Sequence, residues 1–185
     1  MDVMGKRIVI VVVVLLVLVG LFFLYVGRRG ERKEVLPEEE KAVVTETRSV
    51  TLFFADRKAD ALLSESHEVP VHGGIAEQMR AVVEEFLKGP GTQEAVSAVP
   101  EGTRLLDLFW DEEGQIVYLD FSQAFVSNHP GGSTAEYYTI TTLLKTIQAN
   151  FPQVRRVQFL VEGYPVETIA GHYSVKKPID IDRWR

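Results

Sequence analysis

Residues Ile8 to Val26 read IVIVVVVLLVLVGLFFLYV, 19 consecutive positions without a charged side chain. At ~1.5 Å per residue such a helix is roughly 28 Å long, close to the hydrocarbon thickness of a bilayer. Lys6 and Arg7 flank one end of the run and Arg28 and Arg29 the other, with Tyr25 where an interfacial aromatic belongs. A cleaved signal sequence has an apolar region of about 7–15 residues followed by a small-x-small site. Tyr25-Val26-Gly27-Arg28-Arg29 offers no such site. The expectation is an uncleaved single-pass anchor within residues 1–27, with the membrane itself as the first partner.

The segment 28–47 is dense in charge, has no apolar period and carries Pro37 inside an acidic cluster. It cannot bury enough surface to offset its ordering entropy, so it is expected to be a flexible spacer. Residues 48–185 have the length of one domain, large enough to need no covalent staples. The chain has no cysteine, which excludes disulfides, thiolate catalysis and zinc–thiolate sites. Residues 1–47 balance seven basic against seven acidic groups, so the whole net charge of −6 belongs to the domain. An acidic domain repels phosphate backbones, which argues against a nucleic-acid partner.

Periodicity gives the domain its elements. Val50 to Ala55 is an apolar, β-rich run and Leu62 to about Val71 a returning strand, with Pro70 at its edge. Ile75, Met79, Val82, Val83, Phe86 and Leu87 make one helical stripe that Gly89-Pro90 terminates. Arg104–Trp110 and Gln115–Phe121 read as a hairpin around Asp111-Glu112-Glu113-Gly114. A loop from Ser122 to Gly132 leads to Ser133-Thr134-Ala135-Glu136, the pattern of a capping box opening a helix to about Asn150. Val154–Val161 and Val166–Ala170 supply two more strands, and His172–Arg185 reads as irregular. The order β-β-α-β-β-α-β-β predicts an α+β fold: one mixed or antiparallel sheet with two helices packed on one face.

Chemistry is sparse in this pattern. His67 and His72 lack a ligand spacing, and all four histidines read as surface or turn residues, so no metal or other cofactor is expected. There is no G-x-S-x-G elbow. Asp120, Glu136 and Glu162 could in principle serve as acid and base in glycan hydrolysis. Loop capping for Asp120 and helix capping for Glu136 are the ordinary roles. The glycine-rich approach to Ser133 could also receive an anion at a helix start. Asp120, Ser122, Ser133 and Glu136 are therefore the candidate structural or ligand-contact residues.

Several segments come in the order of a known domain: Glu85–Pro90, Ser97–Thr103, Val117–Ser122, Glu136, Thr146 and Phe151–Gly163. Together they resemble the GerMN domain of sporulation and spore-germination proteins, over about Val50 to Gly171, here in one copy. The resemblance implies an extracytoplasmic bacterial domain without established enzymatic activity, acting through protein assembly or envelope contact. That orientation opposes the local Lys/Arg count, which favours a cytoplasmic domain. The leading expectation is thus a non-enzymatic, membrane-anchored envelope protein with a protein partner. The alternative is a peptidoglycan-binding accessory or cell-wall hydrolase using Asp120 and Glu136.

Overall fold

The computed structural model describes residues 3–29 and 46–184, which fall in two separate compact units, one ending by residue 43 and the other beginning at 44. In the first unit Val3–Arg29 forms one α-helix, α1, that contains the whole Ile8–Val26 run. Side chains of α1 are described for 12–25 alone, and among the described residues no helix is long and apolar enough to cross a membrane. The expected spacer lies almost wholly outside the described residues.

The second unit contains two sheets rather than the single sheet expected. β1 (Thr47–Asp56) and β2 (Leu62–Pro70) form a long antiparallel hairpin, in register from Thr47 opposite Pro70 to Ala55 opposite Leu62. Its turn is closed by Asp56, whose Oδ1 accepts from the amides of Asp60 and Ala61 at 2.7 and 3.1 Å. Val50, Leu52 and Phe54 alternate inward along β1 and are almost fully buried, the half-covered strand that period two demands. A third strand absent from the sequence reading, β3 (Ala95–Val96), pairs with the end of β1.

The second sheet is mixed. β4 (Leu105–Asp111) and β5 (Ile116–Phe121) are the expected hairpin, with a register shift between Leu105 and Asp107. β6 (Arg156–Val161) runs parallel to β5. β7 (Tyr164–Pro165) and β8 (Ile179–Asp180) each add a two-residue antiparallel pairing to β6. The expected strand Val166–Ala170 does not form; between Pro165 and β8 the chain is irregular, and three of its amides go to a side chain described below. The tail, expected to be irregular, holds β8 and a 3-10 turn at Ile181–Arg183.

Three α-helices complete the described part of the unit. α2 (Ile75–Leu87) has the predicted limits and buries Met79, Val82, Val83 and Phe86. The Phe86 ring stacks on Phe54 at 5.3 Å and 7°. The 122–132 segment, expected as a loop, contains a short helix, α3 (Ala124–Ser127), that packs Phe125 against both Phe121 and Phe159. α4 (Ser133–Asn150) crosses over between the parallel strands β5 and β6.

α4 is buried on more than one face because it also serves the first sheet. Thr146 Oγ1 accepts from Phe53 N at 3.0 Å, and Asn150 exchanges hydrogen bonds with Thr51 N and O at 3.0 and 2.7 Å. Helix side chains thus satisfy backbone groups of β1 on the stretch that the two-residue β3 leaves uncovered, which closes an otherwise open sheet edge. Both sheets contribute to one continuous apolar core, running from Val50 and Leu52 through Phe86 and Ile140 to Val157 and Phe159.

Candidate functional site

Of the four predicted residues, Asp120 and Ser122 sit at the end of β5 and hold neighbouring loops. Asp120 Oδ1 accepts from Gly163 N at 2.9 Å, in a turn where Glu162 and Gly163 both have positive φ. Ser122 is buried, and its Oγ accepts from Arg104 N at 3.1 Å. Ser133 is exposed at the first turn of α4.

Glu136 requires a correction. The helix start is Gly132, at φ 88°, and no side chain caps it. Glu136 is wholly buried and faces the 169–172 turn instead. Its Oε1 accepts from Ile169 N and Ala170 N at 2.8 and 2.9 Å, and its Oε2 from His172 N at 2.8 Å. The glycine supplies the chain reversal that opens the helix, so the carboxylate is free for a turn with several orphan amides and no ladder partner. Burial alone would raise its pKa. The amides of Ala170, His172 and Ile169 outweigh burial and hold the carboxyl below its usual range. An acid kept ionised in this way is poorly suited to donate a proton, and its two oxygens are already occupied. Asp120 accepts from the Gly163 amide and Glu136 from the 169–172 turn, so each of the two carboxylates holds backbone.

Two histidines surround this carboxylate. His172 Nδ1 lies 3.2 Å from Glu136 Oε2. His129 accepts from Gly131 N through Nδ1 and meets Thr139 Oγ1 through Nε2, at 3.0 and 3.1 Å. Thr139 directs its own proton to Ala98 O at 2.6 Å or Ala135 O at 3.0 Å. His129 is therefore the neutral Nε2–H tautomer, and desolvation lowers its pKa in the same direction.

A second cluster lies apart from the four predicted residues. His67 on β2 lies between Glu65 and Glu85, with Nε2 3.1 Å from Glu65 Oε2 and Nδ1 3.1 Å from Glu85 Oε1. The i, i+2 spacing of Glu65 and His67 on one strand face was a readable signal; the arrival of Glu85 from α2 was not. Among the described residues no group of three or more His, Cys, Asp or Glu side chains has the arrangement of a metal site.

A groove of about 380 Å³ lies between the C-terminal end of α2 and the 97–103 turn. Lys88 and Gly89 form one wall, and Val99, Pro100, Glu101 and Thr103 the other. Gly89 and Gly102 take φ of 90° and 81°, which an L side chain would adopt only with strain. The second wall is braced: Thr103 bonds Pro100 O through both N and Oγ1, and Asn128 Nδ2 donates to Glu101 O at 2.9 Å. Two of the segments that carry the GerMN resemblance, Glu85–Pro90 and Ser97–Thr103, meet here.

A family described as Germane, sporulation and spore germination, matches residues 51–167, and the chain belongs to it. No curated protein matches the sequence. Two solved structures share the fold at a TM-score of 0.53 each. One is a candidate lipoprotein from Clostridium perfringens, 20% identical, with 75% of this chain and 91% of that chain covered. The other is the tandem GerMN pair of the sporulation protein GerM from Bacillus subtilis, 16% identical. There the match covers 74% of this chain and 46% of that one, so this chain spans about half of the tandem.

Proposed function

We propose that this chain is a single-pass membrane protein of the cell envelope whose domain binds a protein partner through the groove between α2 and the 97–103 turn. The observation that carries this reading is the convergence of two family-resembling segments on one groove with a braced wall. The proposed role is assembly or envelope contact without catalysis. It is supported by family membership and by carboxylates engaged in holding backbone turns.

The anchor rests on the sequence: Ile8 to Val26 gives 19 consecutive positions without a charged side chain, about the number a bilayer span needs. An extracytoplasmic domain is in keeping with the family and with the likeness to a candidate lipoprotein.

A photo-crosslinking side chain at Glu101 in the intact membrane protein tests the groove. The expected result is one discrete adduct, lost in the Lys88→Glu variant; the absence of any adduct dependent on the groove overturns the proposal. Alkaline carbonate extraction tests the anchor, with retention in the membrane pellet expected and release as the contrary result. Protease cleavage of the domain in intact spheroplasts is expected, and protection until lysis would reverse the orientation. Muropeptide release by the purified protein, lost in Asp120→Asn, would favour the cell-wall alternative.

A further inference from the structure

Both ring nitrogens of His67 point at carboxylates from different elements, Glu65 on its own strand β2 and Glu85 on α2, each at 3.1 Å. The three side chains are only 15%, 11% and 19% exposed. Each carboxylate also holds something else. Glu65 accepts from Gly91 N at 2.7 Å, Thr92 N at 3.3 Å and the Thr92 hydroxyl. Glu85 Oε2 accepts from Lys88 Nζ at 2.6 Å. The Phe54 ring of β1 lies against the imidazole at 6.2 Å and contributes no charge. The charged groups facing His67 are therefore Glu65, Glu85 and, through Glu85, Lys88.

We propose that Glu65, His67 and Glu85 form a pH-dependent latch that fixes the 91–92 turn and the Lys88 side chain while the imidazole is doubly protonated. A charged ring donates to both carboxylates at once. A neutral ring carries a single N–H and must turn a lone pair toward one of two anions. One carboxylate then loses its partner in a part-buried setting, and β2 and α2 are no longer tied through this point. Desolvation pushes His67 down, but hydrogen bonds to Glu85 and Glu65 outweigh it, so the ring stays charged above its ordinary range. Because Lys88 lines the groove and follows Glu85, the latch regulates the shape of that wall. The latch stands on its own geometry, whether or not the groove receives a partner.

The test uses the full chain in detergent micelles. His67 is titrated by NMR while amide exchange is followed at Gly91 and Thr92. Gly163, whose amide is held by Asp120, serves as the internal standard for base-catalysed exchange. The expected midpoint lies above the ordinary 6.5. Protection at Gly91 and Thr92 relative to Gly163 should fall about tenfold across it. His67→Gln should remove that step. Should this variant not fold, Glu85→Gln should lower both the His67 midpoint and the pH of the exchange step together. A midpoint at or below 6.5, or a protection ratio unchanged through it, overturns the latch.

Discussion

Replacing Glu136 with glutamine alters one oxygen and one charge, yet the structure predicts a large loss of stability. Oε1 serves the amides of Ile169 and Ala170, and Oε2 serves that of His172. If the glutamine oxygen keeps the first position, its NH2 group faces the His172 amide, donor against donor. A hydrogen bond to a charged acceptor contributes about 1.5–3 kcal/mol, and a buried donor left unsatisfied costs about 1–3 kcal/mol. The two remaining bonds weaken because their acceptor is no longer charged. The net expectation is about 3–5 kcal/mol, a large part of a typical domain stability of about 5–15 kcal/mol. Urea titration of the intact protein in detergent provides the assay, read by tryptophan emission. Trp184 stacks on Tyr137, the residue beside Glu136, at 5.8 Å and so reports on this region. With a slope of about 1–3 kcal/mol/M, the midpoint should fall by about 2 M. Amide exchange at Ile169, Ala170 and His172 should rise first. A Glu136→Gln protein within about 1 kcal/mol of the parent would refute the assignment of this carboxylate to the turn.

The same group sets an acid limb. The folded-state pKa of Glu136 lies below its ordinary 4.5, so its contribution is present above 4.5 and lost as pH falls through the folded value. Melting temperature against pH should decline over that range in the parent and be flatter in Glu136→Gln. His67 acts with the opposite sign: its folded-state pKa is raised, so its contribution is complete below 6.5 and lost as pH rises through the folded value. A second fall in melting temperature on the alkaline side, absent in His67→Gln, checks it. Phe86→Ala should cost about 3–5 kcal/mol in denaturant titrations, since it removes a fully buried ring stacked on Phe54. Gly163→Ala meets no atom within 4 Å but must hold φ at 83°, so a loss of about 1 kcal/mol is expected from strain alone.

The elements that could be read from the sequence are those with a period long enough to repeat. The α2 stripe runs through three turns and its limits coincide with the prediction, because Gly89 takes a φ of 90° just past the last helical residue. The β4–β5 hairpin is marked by alternation and a turn. β3, β7 and β8 have two residues each and no period to detect; they exist because a neighbouring strand offers ladder positions. Division into two sheets is likewise a matter of which strands pair, and the β1 edge is closed by Thr146 and Asn150 of a helix nearly 100 residues away. At the site, Ser133 and Glu136 have the right local spacing for a capping box. Tertiary demand prevailed: the Ile169, Ala170 and His172 amides take Glu136 as their acceptor.

The acidic balance of the domain gains a second meaning from these contacts. Strands this short leave many turns whose amides have no ladder partner, and a backbone N–H can be satisfied only by an acceptor. Lysine and arginine have none to offer, whereas each carboxylate has several lone pairs. Asp56 serves Asp60 and Ala61, Glu65 serves Gly91 and Thr92, Glu77 serves Gly74, Asp111 serves Gly114, and Asp120 serves Gly163. Glu162 takes the Gln123 amide and Glu136 three more. The excess of acid over base is therefore partly a requirement of an irregular backbone and not simply a surface property aimed at a partner. It follows that a partner search guided by net charge alone would be misdirected. The carboxylates already committed to turns are poor bait for a basic ligand, while Glu101, exposed on the groove wall and holding no backbone amide among the described contacts, is available to one.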